Sequence, residues 1–174
     1  MYSDSYNLLI NSGRTSRLEA KFIGLDEIET ISNVITEKTA MIVTESITNP
    51  LVEIPDLERI GEIASNHGVP FVVDNTVASP ENCQPLDYGA NYVIHSTTKY
   101  LSGSNSHGGG AVVVKDSNGS SALNNFKRYW GMRISPLESE ILWESMQDFK
   151  ERIERFNNNC NAVAEYLSEN STVD

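Results

Sequence analysis

The stretch AMIVTESITNPLVEIPDLERIGEIASNHGVPFVVDNT, residues 40–76, decides the fold class. Ala40 to Ser46 reads as a strand running into the loop Thr48-Asn49-Pro50, since Asn-Pro is a common turn starter. Asp56 to His67 reads as a helix, begun after Pro55 and stopped by Gly68. Proline suits the entry to a helix and glycine its left-handed exit. Val69 to Val73 is a strand of the buried type and closes on Asp74. The pattern continues outward on both sides. Asp26 to Thr36 places Ile28, Ile31 and Ile35 near one helical face, with Asp26 as the expected cap. Asn91 to His95 and Ala111 to Lys115 are further strands, the last preceded by three glycines. Strands alternating with helices imply an α/β layer on a mostly parallel sheet with flanking helices.

The last third has another pattern. Leu142, Met146, Phe149, Ile153, Phe156, Cys160, Val163 and Leu167 are spaced alternately by four and three, which predicts an apolar seam on one long helix. A coiled coil produces such a seam, and so does an amphipathic helix lying over a neighbouring sheet or subunit. The Cys, Met and Phe in the seam favour the packing helix. Either the chain folds back over the seam or a partner covers it.

The 174 residues are 39% hydrophobic, 21% charged and 8% aromatic, the composition of a globular chain. No apolar stretch approaches the ~20 residues that span a bilayer, and the N-terminus MYSDSYNLLINSGR lacks the basic-then-apolar order of a signal peptide. Cys83 and Cys160 form no C-x-x-C pair, which argues against a disulfide framework or a zinc ribbon. A cytoplasmic location is the expectation. The net charge of −11 divides unevenly, −9 over residues 1–87 and −2 over residues 88–174. Without a basic stripe, neither nucleic acid nor an anionic membrane is expected as a partner.

Ligands of open parallel sheets sit beyond the carboxyl ends of the strands, so the residues there are the ones to question. They are Thr48-Asn49-Pro50, Asp74-Asn75-Thr76 and Ser96-Thr97-Thr98-Lys99. Together they offer an amide, a carboxylate, several hydroxyls and an amine, with Asn49, Asp74 and Lys99 recurring every 25 residues. Each position also has an ordinary structural use, as a turn starter, a strand end or a helix cap. His67, His95 and His107 lack metal-ligand spacing with any Cys or carboxylate, so no metal is expected, and neither G-x-x-x-x-G-K-[ST] nor G-x-S-x-G occurs. The remaining sharp reading makes Lys99 a Schiff-base lysine, with Asp74 facing a pyridinium nitrogen and Ser96 and Thr98 donating to a phosphate.

Three segments carry a family resemblance. They are E-S-I-T-N-P at 45–50, V-V-D-N-T at 72–76, and H-S-T-T-K-Y-L at 95–101 followed by Gly109-Gly110. In combination they resemble the Cys/Met-metabolism enzymes that depend on pyridoxal 5'-phosphate (PLP), among them cystathionine γ-synthase, the cystathionine lyases, methionine γ-lyase and homoserine-ester sulfhydrylases. The resemblance implies part of a fold-type-I, aspartate-aminotransferase-like large domain. It matches Lys99 to the lysine that bears the cofactor and shuttles the α-proton. Asp74 matches the aspartate that keeps the pyridine nitrogen protonated, and Asn49 the asparagine near the ring's 3-oxygen. Ser96 and Thr98 match phosphate ligands, and Thr76 falls in the same cofactor-binding set. Y-S-D-S-Y at 2–6 resembles Y-G-x-T-[YF], which makes Tyr2 the ring-stacking, catalytic tyrosine, with Ser3 and Ser5 in place of glycine and threonine.

The resemblance continues through R-I-E-R-F-N-N-N-C-N-A-V-A-E-Y-L at 152–167, similar to the family's long helix leaving the cofactor domain. The expected organisation is therefore a partial PLP-binding domain over 1–135 and a long amphipathic helix over 136–174 that leads toward an absent C-terminal domain. Family members are roughly twice this long and form homo-oligomers. Where many have Gly-His and Asp after the lysine, this chain has Gly103-Ser104 and Ser106, and Trp143-Glu144-Ser145 stands where Arg-Gly-Leu is usual. The expected activity is β- or γ-elimination or γ-replacement on cystathionine, methionine, cysteine or homoserine esters, and a chain of this length alone is expected to bind the cofactor weakly. The alternative is an inactive, truncated remnant that serves as an interaction module through the 142–167 seam.

Overall fold

The computed structural model describes residues 1–16 and 18–172. The central elements form where the local pattern predicts them. The strands are β1 (Ile42–Glu45), β2 (Phe71–Asp74), β3 (Tyr92–Ser96) and β4 (Gly110–Val114). They lie side by side in that order. β1, β2 and β3 are parallel, with Glu45 opposite Asp74 and Asp74 opposite Ile94. β4 runs the other way. Gly110 lies beside the His95 carbonyl, while the Lys115 N–H reaches the Asn91 carbonyl at 3.0 Å. The sheet is thus mixed but mostly parallel, and β4 follows β3 without a helical crossover, as only an antiparallel neighbour can.

The helices are α1 (Ser3–Ser16), α2 (Ile31–Val34), α3 (Leu57–His67), α4 (Ser79–Asn82), α5 (Ser117–Trp130), α6 (Pro136–Ser145) and α7 (Phe149–Ser168). The best specified is α3. Asp56 Oδ1 accepts the Arg59 N–H at 2.9 Å, and Gly68 exits at φ 65°. Its Leu57, Ile60, Ile63 and Ala64 are buried in one cluster with Ile31, Phe71, Val73, Ala90 and Val93. Phe71 and Val73 alternate with Asp74 along β2, so the strand's two-residue period seats one set in the core and leaves Asp74 on the other face. Gly61 permits a close approach in this cluster, since a Cβ there would stand 2.0 Å from the Tyr88 carbonyl oxygen.

Two expectations change. Residues 26–36 form a tighter 3-10 helix over Leu25–Thr30, then the short α2. Gly24 rather than Asp26 stands at the cap, with Asp26 in the first turn, and Glu27 leaves helical geometry at φ −111° and ψ 19°. The isoleucines still face inward, Ile31 buried and Ile28 and Ile35 packed against the core. Likewise the 142–167 seam is not one helix. α6 closes at Met146, and two of its last carbonyls also receive side chains: Trp143 O accepts Gln147 Nε2 at 2.9 Å beside the Met146 N–H at 3.3 Å, and Ser145 O accepts Arg152 Nη1 at 2.9 Å. The helix is interrupted between Ser145 and Phe149, where α7 begins. Only the start of α7 is covered: Ile153 is 2% exposed, whereas Val163 is 57% and Leu167 40% exposed.

The chain divides into two compact units. The first comprises Met1–His95 with Gly110–Arg133, and the second Ser96–Gly109 with Ile134–Asp174. The segment bearing Lys99 therefore groups with α6 and α7 rather than with the rest of 1–135. Cys83 and Cys160 are free thiols. Among the described residues, no helix is long and apolar enough to cross a membrane.

Candidate functional site

The residues singled out in the sequence fall in both units. Tyr2, Asn49, Asp74 and Thr76 belong to the first, and Ser96, Thr98 and Lys99 to the second.

In the first unit, two carboxylates end neighbouring strands. Glu45 closes β1 and pairs in register with Asp74, which closes β2. Glu45 is buried, and its charge is answered by two main-chain donors: the Tyr2 N–H meets Oε1 at 2.5 Å and the Asn49 N–H meets Oε2 at 3.1 Å. One carboxylate thereby ties together Tyr2 and Asn49, which lie on different loops. Asp74 is oriented locally. Its Oδ1 accepts the Thr76 N–H at 3.0 Å and the Thr76 hydroxyl at 2.5 Å, a pair that fixes the carboxylate's rotation.

The surroundings tune these groups. His95, one strand over, is buried, and burial holds its imidazole below the ordinary value against the opposing pull of the Asp74 charge and the Asn75 backbone. His95 is therefore neutral at pH 7. Tyr2 is exposed, and the hydrogen bond and charge of Asp4 hold its phenol above the usual range. Asn75 is fully buried and structural, its Nδ2 donating to the carbonyls of Ser79 at 3.1 Å and Cys83 at 2.8 Å.

In the second unit, Thr97–Leu101 forms a single wide turn straight after β3. Lys99 departs from helical geometry inside it, at φ −88° and ψ −119°, and its side chain is exposed. The 109 segment braces the turn. The Thr97 N–H donates to the Gly109 carbonyl at 3.0 Å, and the Gly109 N–H donates to Thr98 Oγ1 at 3.3 Å. A Cβ on Gly109 would sit 2.6 Å from Thr97 Oγ1. That hydroxyl is buried and, among the described residues, has no hydrogen-bond partner, as is also true of both ring nitrogens of His107.

Glu45, His95 and Arg152 were not picked out as site residues from the sequence. For Glu45 a signal existed, because a carboxylate ending an apolar strand run repeats the Asp74 pattern one strand earlier. Arg152 carried no local signal.

Comparison with known proteins agrees with the motif reading. The family model for Cys/Met metabolism PLP-dependent enzymes matches residues 1–174. Cystathionine gamma-synthase of Mycobacterium leprae is 36% identical over 151 residues, covering 87% of this chain and 39% of that protein. The cystathionine gamma-synthase/O-acetylhomoserine (thiol)-lyase of Bacillus subtilis is 31% identical over 173 residues, covering 99% of this chain and 46% of that protein. Among solved structures, cystathionine gamma-lyase from Lactobacillus plantarum, complexed with L-serine, superposes with a TM-score of 0.93 at 28% identity, over 98% of this chain and 45% of that one. The chain thus spans less than half the length of these relatives. With the family model matching end to end and the fold-type-I likeness this close, the chain belongs to the Cys/Met metabolism family of PLP-dependent enzymes.

Proposed function

We propose that the chain forms the central, cofactor-holding part of a PLP-dependent enzyme of sulfur amino-acid metabolism, a cytoplasmic homo-oligomer that carries out β- or γ-elimination or γ-replacement on cystathionine, methionine, cysteine or homoserine esters. The observation that carries this reading is Lys99 on an exposed, braced turn directly after the carboxyl end of a parallel strand. The donor set fits PLP: an amine for the aldehyde, hydroxyls at Ser96 and Thr98 for the phosphate, and a carboxylate at Asp74 for the pyridine nitrogen. Bound there, PLP supplies an electron sink for the pair left behind when a substrate loses its α-proton.

Each residue then has a physical task. Lys99 Nζ would hold the cofactor through its aldehyde and would serve as the base that takes and returns the substrate's α-proton. Asp74, held in rotation by Thr76, keeps the pyridine nitrogen protonated through a charge-assisted bond. Asn49, on a loop anchored by Glu45, would serve the ring's 3-oxygen. Tyr2 Oη, a phenol that Asp4 shifts further upward, suits stacking and donation rather than proton abstraction. No observation favours an interaction module built on one 142–167 seam, since α6 and α7 are separate.

Incubation with PLP, borohydride reduction and peptide mapping test the proposal. Modification concentrated at Lys99, and abolished in Lys99→Ala, is the expected result. Labelling scattered over exposed lysines, with Lys99 no better than Lys127, overturns it.

A further inference from the structure

The turn that carries Lys99 has five carbonyl oxygens to satisfy and is too short to supply all their donors itself. The first three are met from just beyond the turn. Thr97 O accepts the Ser102 N–H at 3.1 Å, Thr98 O accepts Ser102 Oγ at 2.9 Å, and Lys99 O accepts the Gly103 N–H at 2.8 Å. The last two, on Tyr100 and Leu101, receive Nη2 of Arg152 at 3.3 and 3.0 Å. Arg152 stands on α7, 51 residues from Leu101 in sequence.

Arg152 is 7% exposed. Its Nη1 donates to the Ser145 carbonyl at 2.9 Å and to the Asp148 carboxylate, which neutralises the buried charge. Gly103 makes room for the guanidinium: a Cβ there would lie 2.5 Å from Nε, and the residue sits at φ 70°. One helical turn further along α7, Phe156 meets the Tyr100 ring edge-on at 6.1 Å between centroids. An apolar side chain in place of Arg152 could fill the same space, but only a planar fork places one nitrogen on the carbonyls of residues 100 and 101 and the other on Ser145 and Asp148. The bonds to residues 100 and 101 close the turn just beyond Lys99, and the turn as a whole holds Lys99 at its non-helical φ −88° and ψ −119°.

We propose that Arg152 is a positioning residue for Lys99, holding the lysine-bearing turn in its irregular geometry through the carbonyls of Tyr100 and Leu101. The inference rests on the reading of Lys99 as the cofactor-bearing lysine. It explains why a charged group is kept buried at the foot of α7, where the seam pattern calls only for packing.

The test compares the full chain with Arg152→Lys and Arg152→Met. Two quantities are read: amide hydrogen exchange in peptides covering 97–104, and the PLP concentration that half-saturates borohydride trapping at Lys99. The one nitrogen of an ammonium cannot stand at both the Nη1 and Nη2 positions that serve Ser145 and Leu101, so Arg152→Lys should exchange about tenfold faster over 97–104. Its half-saturating PLP should also rise about tenfold, while exchange in peptides covering 71–74 stays unchanged. Arg152→Met should lose more, and if it does not fold, Arg152→Lys alone decides. Unchanged exchange over 97–104 overturns the positioning role, whatever the labelling. Faster exchange with unchanged labelling at Lys99 also overturns it, reducing Arg152 to a stabilising contact. Failure of the unmodified chain to label Lys99 sinks the cofactor reading itself, and the positioning role with it. That failure is told apart because it already occurs before any substitution.

Discussion

Asp74→Asn isolates one charge. Asparagine keeps the shape of the side chain, and its amide oxygen can still accept the Thr76 N–H and hydroxyl that now bind Oδ1 at 3.0 and 2.5 Å. Orientation is therefore retained while the negative charge is removed. A hydrogen bond to a charged group contributes about 1.5–3 kcal/mol. At about 1.4 kcal/mol per tenfold, that is a loss of roughly ten- to 150-fold in affinity for a protonated pyridine. The lower half of the range is expected, because Asp74 is only half-buried and water screens part of the interaction. The assay is the PLP concentration that half-saturates borohydride-trapped labelling at Lys99, with far-UV circular dichroism as the control for folding. A second consequence is internal. Without the Asp74 charge, the His95 imidazole loses the largest influence that opposes its burial and should titrate lower still. Half-saturation within twofold of the unmodified chain, with folding intact, would refute the assignment of Asp74 to the pyridine nitrogen.

Three further outcomes follow from the first unit, each read by urea unfolding of the full chain. Gly61→Ala drives a methyl to within 2.0 Å of the Tyr88 carbonyl oxygen and should destabilise by about 1–3 kcal/mol; an unchanged midpoint would mean that this contact yields freely. Asp56→Ala removes the cap on Arg59 N–H and should cost about 1 kcal/mol, whereas Asp56→Asn should cost less. His95 gives a pH dependence of defined sign. Its folded value is depressed by burial, so the unfolded chain binds the proton more readily. Its stabilising contribution is complete above the ordinary histidine value of about 6.5 and is lost as pH falls from there through the folded value. His95→Gln should flatten that part of the profile, and a slope that persists in the variant would place its origin elsewhere.

Much of the backbone that carries the candidate site residues could be read from local pattern. The strand ends at Asp74 and Ser96, the capped helix between β1 and β2, and Lys99 just past β3 all rest on signals a few residues long. Turn residues, cap chemistry and the two-residue strand period act within such short reach. The same locality explains the misses. The isoleucine spacing at 28, 31 and 35 identified the buried face but could not separate a 3-10 helix from an α-helix, because both present such residues to the core. The 142–167 seam has helical spacing on both sides of its break. The break falls between Ser145 and Phe149, where the spacing runs on unchanged and leaves no mark of it.

From residues 1–174 alone come the α/β layer, the strand-end carboxylate and the lysine, together with the family motifs that join them. These persist because hydrophobic periodicity and turn chemistry are set by neighbours in the chain. Tertiary structure decided what each of those residues leans on. Glu45 reaches Tyr2 across 43 positions, and Arg152 reaches the lysine turn across 51. β4 turns back against β3, and Lys99 groups with the helices that follow rather than with the strands before it. Bonds between distant positions leave no periodic trace in the sequence, because burial rather than spacing makes a charged group seek the particular carbonyls or amides it binds.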